Sequence, residues 1–339
     1  MYPDPAVSLI IFFSLVILSF AFWKISKSTK LLQNLKQAKK ALTEDILKQL
    51  YHVEYSGKKA SLDAMAGALK IPHRKLVKLV EEMSVSRLIE LDGNTLKLTP
   101  SGRDYGLKII RVHRLWEKYL SEKTGFDKSE WHDIAEEKEH KLTQEQTDEL
   151  YRDLGSPRFD PHGDPIPTEK GEIIETDWIP LSGLQPDAVA RIVHLEDEPD
   201  VIYQQILNKK LHIGSQVKVI SSDNNEIRFF CEGGEYEFSP IVASNISVKL
   251  LDHENEFSEE ARRLSSLRPG EQGEILGISS ECRGANRRRL LDLGFIAGTS
   301  IECEFENPLD EPKAYSIRNT IIALRNDQSD LIIIRKINE

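Results

Sequence analysis

The chain has 339 residues, 40% of them hydrophobic, which is the composition of a folded protein with room for two or three domains. Its formal net charge of −10 argues against a diffuse nucleic-acid coat, although one domain can still carry a local basic patch. The three cysteines are scattered without a CxxC pair, which excludes a disulfide framework or a zinc finger and predicts a reducing compartment (Cys231, Cys282, Cys303).

The first apolar segment covers residues 6–23 (AVSLIIFFSLVILSFAFW) and is interrupted only by serines. Its length is within the range of about 17–25 residues that cross a bilayer as a helix. No basic residue precedes it, whereas six lysines follow (Lys24, Lys27, Lys30, Lys36, Lys39, Lys40). By the positive-inside rule we predict a transmembrane anchor over residues 1–23, at the inner (cytoplasmic) membrane, with all other domains in the cytoplasm.

Residues 24–42 form a basic stretch with an apolar stripe of leucines (Leu31, Leu32, Leu35, Leu42). One interpretation is a helical linker that lies along an anionic membrane surface. The other is a positively charged flank that only stops translocation. The residues leave both open.

Residues 43–103 have the layout of a winged helix-turn-helix. A first helix is predicted over Thr43–Glu54, a short helix follows with Ser61 as its cap, and a third helix covers His73–Met83. Two short strands flank Asp92-Gly93, which is a hairpin signal.

The outward face of the third helix is basic (His73, Arg74, Lys75, Lys78). In a helix-turn-helix these positions meet bases and phosphates in the major groove. Winged helices also serve as protein-interaction modules, but the basic run favours DNA.

Residues 104–170 contain a predicted metal-binding pair of helices. Spacings of four, three and one place four side chains on one face of a helix (His132, Glu136, Glu139, His140). Two more, His113 and Glu117, are four apart on the preceding helix, and the turn between the helices is short enough for antiparallel packing. The alternative is a solvated charged face; the second cluster favours a site for a divalent first-row metal.

Four motifs occur in a fixed order: Thr99-Pro-Ser-Gly-Arg103, Val112-His-Arg-Leu115, Glu136-x-x-Glu-His140 and Pro161-His-Gly-Asp-Pro-Ile-Pro167. Together with the winged helix they resemble the iron- and manganese-dependent repressors of the DtxR/MntR family over residues 41–168. The resemblance implies that the family's ligands fall on the six positions selected by spacing and on Asp45 of the first DNA-domain helix. The manganese branch has a further carboxylate where this chain has Lys48, which argues against a two-metal site. Asp45 and Glu136 replace the Met and Cys of the iron branch, giving an oxygen-rich set suited to Mn²⁺ or Fe²⁺.

The C-terminal half has the periodicity of short strands. Residues 179–251 resemble the SH3-like domain of these repressors, residues 252–263 read as a linker, and residues 264–337 resemble FeoA, a small partner of ferrous-iron transport. Leu267-Arg-Pro-Gly270 echoes Leu184-Gln-Pro-Asp187, which indicates an internal duplication. Neither copy has a cluster of metal ligands, so each is interpreted as an interaction module.

The predicted fold class is therefore multidomain α+β: a transmembrane helix, a winged helix-turn-helix, metal-binding and dimerisation helices, and two small SH3-like β-barrels. The predicted function is a membrane-anchored, metal-dependent DNA-binding repressor of metal homeostasis. No HExxH motif is present, and the many ligands leave few open positions, so an enzyme is not predicted.

We predict a homodimer on a two-fold operator, with apolar residues of the helix after the wing at its interface (Leu107, Ile110, Trp116, Leu120). A metal held by Asp45 and by the dimer-side helices would fix the position of each winged helix, and without metal the carboxylates would repel one another. The alternative function is a regulator of ferrous-iron import that acts through protein contacts, with a ferrous-iron transporter as its partner.

Overall fold

The computed structural model describes residues 33–126, 128–232, 234–251, 261–279, 282–307 and 311–337. Two compact units divide the chain. Of the described residues, the first contains those up to Trp116 with His132–Leu150 and Pro167–Glu172, and the second contains those of Glu117–Trp131, Tyr151–Ile166 and those from Ile173 onward.

The first unit contains the predicted winged helix-turn-helix. Its elements in chain order are α1 (33–55), β1 (Ala60–Ser61), α2 (Leu62–Ala68), α3 (His73–Val85), β2 (Ile89–Asp92) and β3 (Thr95–Leu98). The strands form a sheet in the order β1-β3-β2. Ser61 caps α2 as predicted, because its hydroxyl accepts a hydrogen bond from Ala64 N at 3.1 Å. Apolar side chains from the three helices and the hairpin, among them Leu47, Leu76 and Leu96, are buried together.

Helix α1 is longer than predicted. It is continuous from residue 33 to residue 55, so the described part of the predicted basic linker is the start of the first DNA-domain helix. The sequence around the predicted boundary (AKKALTEDIL) contains no Gly or Pro that would end a helix. The Thr43 hydroxyl, predicted to lie at the helix start, instead donates to the Lys39 carbonyl one turn back at 3.0 Å.

Three further helices follow the wing: α4 (Pro100–Lys123), α5 (Lys128–Glu139) and α6 (Gln144–Asp153). Thr99 caps α4 by accepting a hydrogen bond from Gly102 N at 3.0 Å. Within the first unit, the buried Arg111 of α4 donates to Asp148 of α6 at 2.8 Å, which ties these helices together.

The second unit contains two six-stranded antiparallel sheets. The first is built from β4 (Ile179–Pro180), β5 (Val189–Leu195), β6 (Gln216–Ser222), β7 (Ile227–Cys231), β8 (Gly234–Phe238) and β9 (Ile246–Leu250), with helices α7 (Asp200–Asn208) and α8 (Pro240–Ala243). The second is built from β10 (Ala261–Arg263), β11 (Gln272–Ile278), β12 (Ser300–Glu306), β13 (Lys313–Ile317), β14 (Thr320–Leu324) and β15 (Ile332–Ile337), with helices α9 (Gly284–Asp292) and α10 (Asn326–Ser329).

The two sheets share one topology. Their strand orders are β4-β9-β5-β6-β7-β8 and β10-β15-β11-β12-β13-β14, and each has a helix at the same two places in the chain. The matching residues Asp187 and Gly270 both have positive φ, of 65° and 85°. Each donates its backbone N–H to a carbonyl of its own sheet, Asp187 to Val219 in β6 and Gly270 to Cys303 in β12. The common backbone conformation agrees with the predicted duplication.

Ionic contacts join these two sheets inside the second unit. Arg263 donates to Glu232 at 3.0 Å, and both side chains are largely buried. Lys210 pairs with Asp330, which also accepts from Ser265. Because the Arg263–Glu232 pair is shielded from water, whereas the Lys210 side chain is 59% exposed, we infer that the first pair holds the sheets together more firmly than the second.

Two parts of the predicted fold class are wrong. Each sheet runs from one edge strand to another, β4 to β8 and β10 to β14, so neither closes into a barrel. The predicted membrane location is also wrong: among the described residues, no helix combines the length and the apolar character that a bilayer crossing requires. Helix α4 has 24 residues but carries charged side chains along its length. The apolar run 6–23, from which the prediction came, lies outside the described residues.

The predicted dimer surface is corrected as well. Leu107, Ile110 and Leu120 of α4 are buried within a single chain, at 5%, 1% and 2% exposure, and the fourth predicted residue, Trp116, is only partly exposed. Side chains that already belong to the core of one chain cannot offer a free surface to another. The prediction failed because helical spacing identifies an apolar stripe but not what covers it.

We expect Gly102→Ala to destabilise the fold by about 1–3 kcal/mol, the usual cost of overpacking. A Cβ at Gly102 would lie 1.8 Å from the Leu88 carbonyl oxygen, which is itself fixed by a hydrogen bond from Thr99 N. Urea unfolding followed by circular dichroism measures the change. As a control, Gly67→Ala in α2 meets nothing within 4 Å and should stabilise by about 0.5–1 kcal/mol. Equal stability of the two variants would contradict this packing.

Candidate metal centre

Six of the seven predicted metal ligands lie in the first unit, where α1, α4 and α5 meet (Asp45, His113, His132, Glu136, Glu139, His140). His140 stands one residue beyond the end of α5, and Asp45 reaches it from α1 at 3.1 Å. Two residues of α1 that were not predicted as ligands, Glu44 and Lys48, join this cluster.

The His140 ring is held between carboxylates. Its Nδ1 is 2.7 Å from the buried Glu44 carboxylate, and its Nε2 faces Asp45 at 3.1 Å and Glu139 at 3.7 Å. Burial lowers the pKa of His140, but hydrogen bonds to Asp45 and Glu44 outweigh it and raise the pKa to about 9. Glu44 therefore orients the ring, leaving Nε2 directed at the other two carboxylates.

Glu139 is a deeply enclosed carboxylate of the cluster, with 1% exposure, as is Glu44. One oxygen is 2.6 Å from His113 Nδ1, and both oxygens accept hydrogen bonds from the Lys48 ammonium, at 2.9 and 3.2 Å. Burial alone would raise the pKa of Glu139, but the His113 hydrogen bond and the charges of His113 and Lys48 lower it. The carboxylate is therefore ionised at neutral pH.

Glu136 and His132 form the more exposed side of the cluster. His132 Nε2 lies 3.6 Å from Glu136, and Lys48 Nζ lies 3.3 Å from the same oxygen. The interaction with His132, followed by the attraction of Lys48, lowers the pKa of Glu136 to about 2 against the effect of burial. The rings of His132 and His113 are in edge contact, with centroids 5.0 Å apart.

Three of these residues fit a divalent cation. Asp45, Glu139 and His140 each offer one ligand atom, and these atoms lie within 4.8 Å of one another. Two carboxylate oxygens and one imidazole nitrogen suit Mn²⁺ or Fe²⁺, for which thiolates are not required. The donor set also joins α1 of the DNA domain to the end of α5.

The seventh predicted ligand, Glu117, follows His113 by one turn on α4. In the second unit it lies with His162 and Asp197, whose ligand atoms form another group within 4.8 Å. His162 Nε2 is 4.0 Å from each of the two carboxylates, and this buried nitrogen has no hydrogen-bond partner among the described residues. The Tyr203 hydroxyl holds the other ring nitrogen at 3.2 Å. This group is a second donor set for a cation.

The predicted DNA-binding residues all lie on α3 and are exposed (His73, Arg74, Lys75, Lys78). Their side chains lie around the first turns of the helix, and His73 Nε2 is 3.4 Å from Asp63 of α2. The opposite face of α3 is buried through Leu76, Leu79 and Val80. Burial of the apolar face therefore leaves the basic face of α3 exposed to solvent.

Sequence reasoning missed Glu44, His162 and Asp197. Glu44 stands beside Asp45 in the chain, and only its burial distinguishes it from a surface carboxylate. His162 belongs to the motif Pro161–Pro167, which was noted without a role. Asp197 stands in an acidic run after β5 (Glu196-Asp-Glu198), where nothing in the sequence marks one carboxylate over its neighbours.

Comparisons with known proteins agree with this geometry. Residues 99–168 match the family described as iron dependent repressor, metal binding and dimerisation domain, and residues 262–336 match the FeoA domain. The chain is 26% identical to the diphtheria toxin repressor of Corynebacterium diphtheriae over 222 residues, which cover 62% of this chain and 97% of that protein. The relative is named a repressor and the matching family is that of an iron dependent repressor, which agrees with the predictions of a metal-dependent repressor and not an enzyme.

Two further similarities are informative. A solved structure titled manganese-dependent transcriptional repressor complex with manganese aligns with a TM-score of 0.57 and 23% identity, over 62% of this chain and 100% of that chain, which shows a common fold. A probable metal transport system membrane protein of Chlamydia trachomatis is 41% identical over 80 residues. That match covers 24% of this chain and only 18% of that protein.

We expect the metal-free protein to lose stability as the pH rises from about 6.5 to about 9. The pKa of His140 is about 9 in the folded chain against an ordinary value of 6.5, so the folded state binds this proton more tightly. The stabilisation of the fold by protonated His140 is complete below pH 6.5 and is lost as the pH rises through 9. The free energy of unfolding should fall by roughly 2 kcal/mol over this range, after allowance for solvent screening.

Urea unfolding in chelator between pH 6 and 9.5 measures this loss. His140→Gln keeps a polar side chain but cannot titrate, so its stability should be flatter over the same range. A wild-type profile as flat as that of the variant would show that the ring does not gain its partners on folding.

Proposed function

We propose that this chain is a metal-dependent, DNA-binding transcriptional repressor that controls metal-ion homeostasis. The observation that carries the proposal is the donor set of Asp45, Glu139 and His140, which joins α1 of the winged helix to the end of α5. A ligand changes a conformational equilibrium only by its different affinity for the two states. Because these donors come from two helices, a metal binds more tightly when the helices hold the donors together than when they are apart.

Asp45, Glu139 and His140 would hold the ion, with Glu44 orienting His140 from behind. When bound, a divalent cation supplies positive charge to these carboxylates and a fixed connection between α1 and α5. The side chains do the remaining work. His140 must give up its Nε2 proton to become a ligand, and Asp45 and Glu139 are then released from their contacts with the imidazolium.

The proposed metal-free state differs from the simple repulsion expected from the sequence. In the structure, the imidazole of His140 and the ammonium of Lys48 already lie among the carboxylates. These groups offset part of the repulsion between Asp45 and Glu139. The switch therefore exchanges the His140 proton for a metal, while Lys48 keeps its contacts, instead of simply relieving bare negative charge.

The DNA-binding part of the proposal rests on α3. Arg74, Lys75 and Lys78 are exposed on one side of a helix whose other side is buried, as a major-groove helix requires. A two-fold operator and a homodimer remain predictions, and we assign no interface residues to the dimer. The match of residues 99–168 to a metal binding and dimerisation domain supports them.

We expect Asp45→Asn to lose metal-stimulated DNA binding, because the variant removes the carboxylate through which α1 reaches the metal ligands of α5. The full-length protein is first used to select duplexes from a random-sequence pool in Mn²⁺. Affinity for a selected duplex is then measured with saturating Mn²⁺ and with chelator. Wild type should show stimulation of about 5–150-fold, the usual range of allosteric coupling, and the variant less than about twofold.

Glu137→Gln is the matched control. Glu137 is an exposed carboxylate of α5 that pairs with Lys141 outside the cluster, so its loss should leave the stimulation unchanged. Equal stimulation in wild type and Asp45→Asn would contradict the proposed connection between α1 and α5.

We expect Arg74→Ala and Lys78→Ala to weaken DNA binding and to lower its salt dependence. Each phosphate contact contributes about 0.9 to the slope of log affinity against log salt concentration, so each variant should lose about one unit. Lys141→Ala, an exposed lysine of the same unit that lies after α5, is the control and should keep the full slope. Unchanged slopes in both α3 variants would move the DNA interface away from this helix.

A second candidate function is a regulator of metal transport that acts through protein contacts. The FeoA domain match over residues 262–336 favours it. The described residues of the second sheet form no metal-ligand group, so this sheet is better suited to a protein contact than to metal binding. The duplex selection described above separates the candidates. Failure to enrich any duplex, with Mn²⁺ binding intact, would favour the second.

A further inference from the structure

Lys48 is a positively charged side chain enclosed by carboxylates. It lies on α1, three residues after Asp45 and four after Glu44, and its side chain is only 14% exposed. Other lysines of this unit are far more open: Lys39, on the same helix, is 56% exposed and pairs with Glu82 at the surface.

The hydrogen bonds of Lys48 account for the whole ammonium group. An ammonium has three N–H donors. Three carboxylate oxygens lie within range of Nζ: the two of Glu139, at 2.9 and 3.2 Å, and Oε1 of Glu136, at 3.3 Å. The ammonium therefore occupies the position between Glu136 and Glu139 where a cation shared by these two carboxylates would be bound.

The same contacts limit the number of metal ions that this cluster can hold. An ion bound by Asp45, Glu139 and His140 shares Glu139 with Lys48. A second divalent ion between Glu136 and Glu139 would have to displace the ammonium or lie beside it, and like charges so close together repel strongly in a partly buried site.

We propose that Lys48 is a built-in cation that takes the place of a second metal ion. It restricts the centre formed by Asp45, Glu139 and His140 to one divalent ion. It also holds α1 to α5 when no metal is bound. This inference rests on the proposed metal-binding function and adds the number of ions that the centre takes and the residue that sets it.

The first experiment measures Mn²⁺ stoichiometry on the full-length protein, after chelator treatment, by equilibrium dialysis against MnCl₂. Lys48→Glu replaces the ammonium with a third carboxylate, so we expect it to bind one Mn²⁺ per chain more than wild type. Lys48→Arg keeps the positive charge and should bind the same number as wild type. The comparison uses the difference between variants, so ions held elsewhere, such as by Glu117, His162 and Asp197, cancel.

The second experiment needs no metal. In chelator, Lys48→Met leaves Glu139 and Glu136 without their ammonium, and removing one partner of a buried pair is strongly destabilising. We expect its Tm to fall by at least about 4 °C. Lys39→Met is the matched control on the same helix, and its Tm should stay within about 1 °C of wild type. Should Lys48→Glu prove too unstable in chelator for dialysis, its Tm should rise more on addition of Mn²⁺ than that of wild type.

The outcomes separate this inference from the proposed function. If wild type binds no Mn²⁺, the proposed metal-dependent function is wrong. If wild type binds Mn²⁺ and Lys48→Glu shows neither the additional ion nor the larger Mn²⁺-dependent rise in Tm, Lys48 does not set the number of ions. An unchanged Tm for Lys48→Met in chelator would likewise overturn its role in holding α1 to α5.

Discussion

The arrangement of the first unit depends on one buried anion, the carboxylate of Glu139 at the end of α5. An ionised carboxylate shielded from water is costly unless positive or hydrogen-bonding groups surround it. His113 supplies such a group from α4, Lys48 supplies one from α1, and His140 stands beside it. Satisfying this single charge therefore brings three helices to one point, and any cation that enters must compete with partners already in place.

Because of this competition, the metal affinity of the centre depends on the partners that the metal has to replace. Protons and the lysine hold the cluster together before metal arrives, so the metal-free chain is already ordered around the site. A metal then gains only the difference between its own contacts and those it replaces, and affinity depends on proton release from His140. The chain thus senses metal through an exchange among cations.

Helical periodicity was sufficient to find most of the candidate site from the sequence. His113, His132, Glu136, Glu139 and His140 were identified by spacing, because a helix repeats its faces regularly. Asp45 was reached only through resemblance, since a single carboxylate on a separate helix has no pattern of its own. Glu44 was not recognised as part of the cluster, and Lys48 was placed there only by the resemblance, because burial and pairing arise only when α1 packs against α5. In the C-terminal half, the periodicity of short strands was recognised, but the open sheets were not, because strand pairing depends on contacts between segments distant in the sequence.

The unbroken course of α1 has a mechanical consequence. Residue 33 and Asp45 belong to one rigid helix, which extends about 18 Å between them at 1.5 Å per residue. The side chains that reach the cluster, Glu44, Asp45 and Lys48, all lie on this rod. Tilting or rotating its exposed beginning therefore displaces them as a set against Glu139 and His140. The start of α1 is in this sense a lever, through which force applied outside the DNA domain reaches the cation site directly.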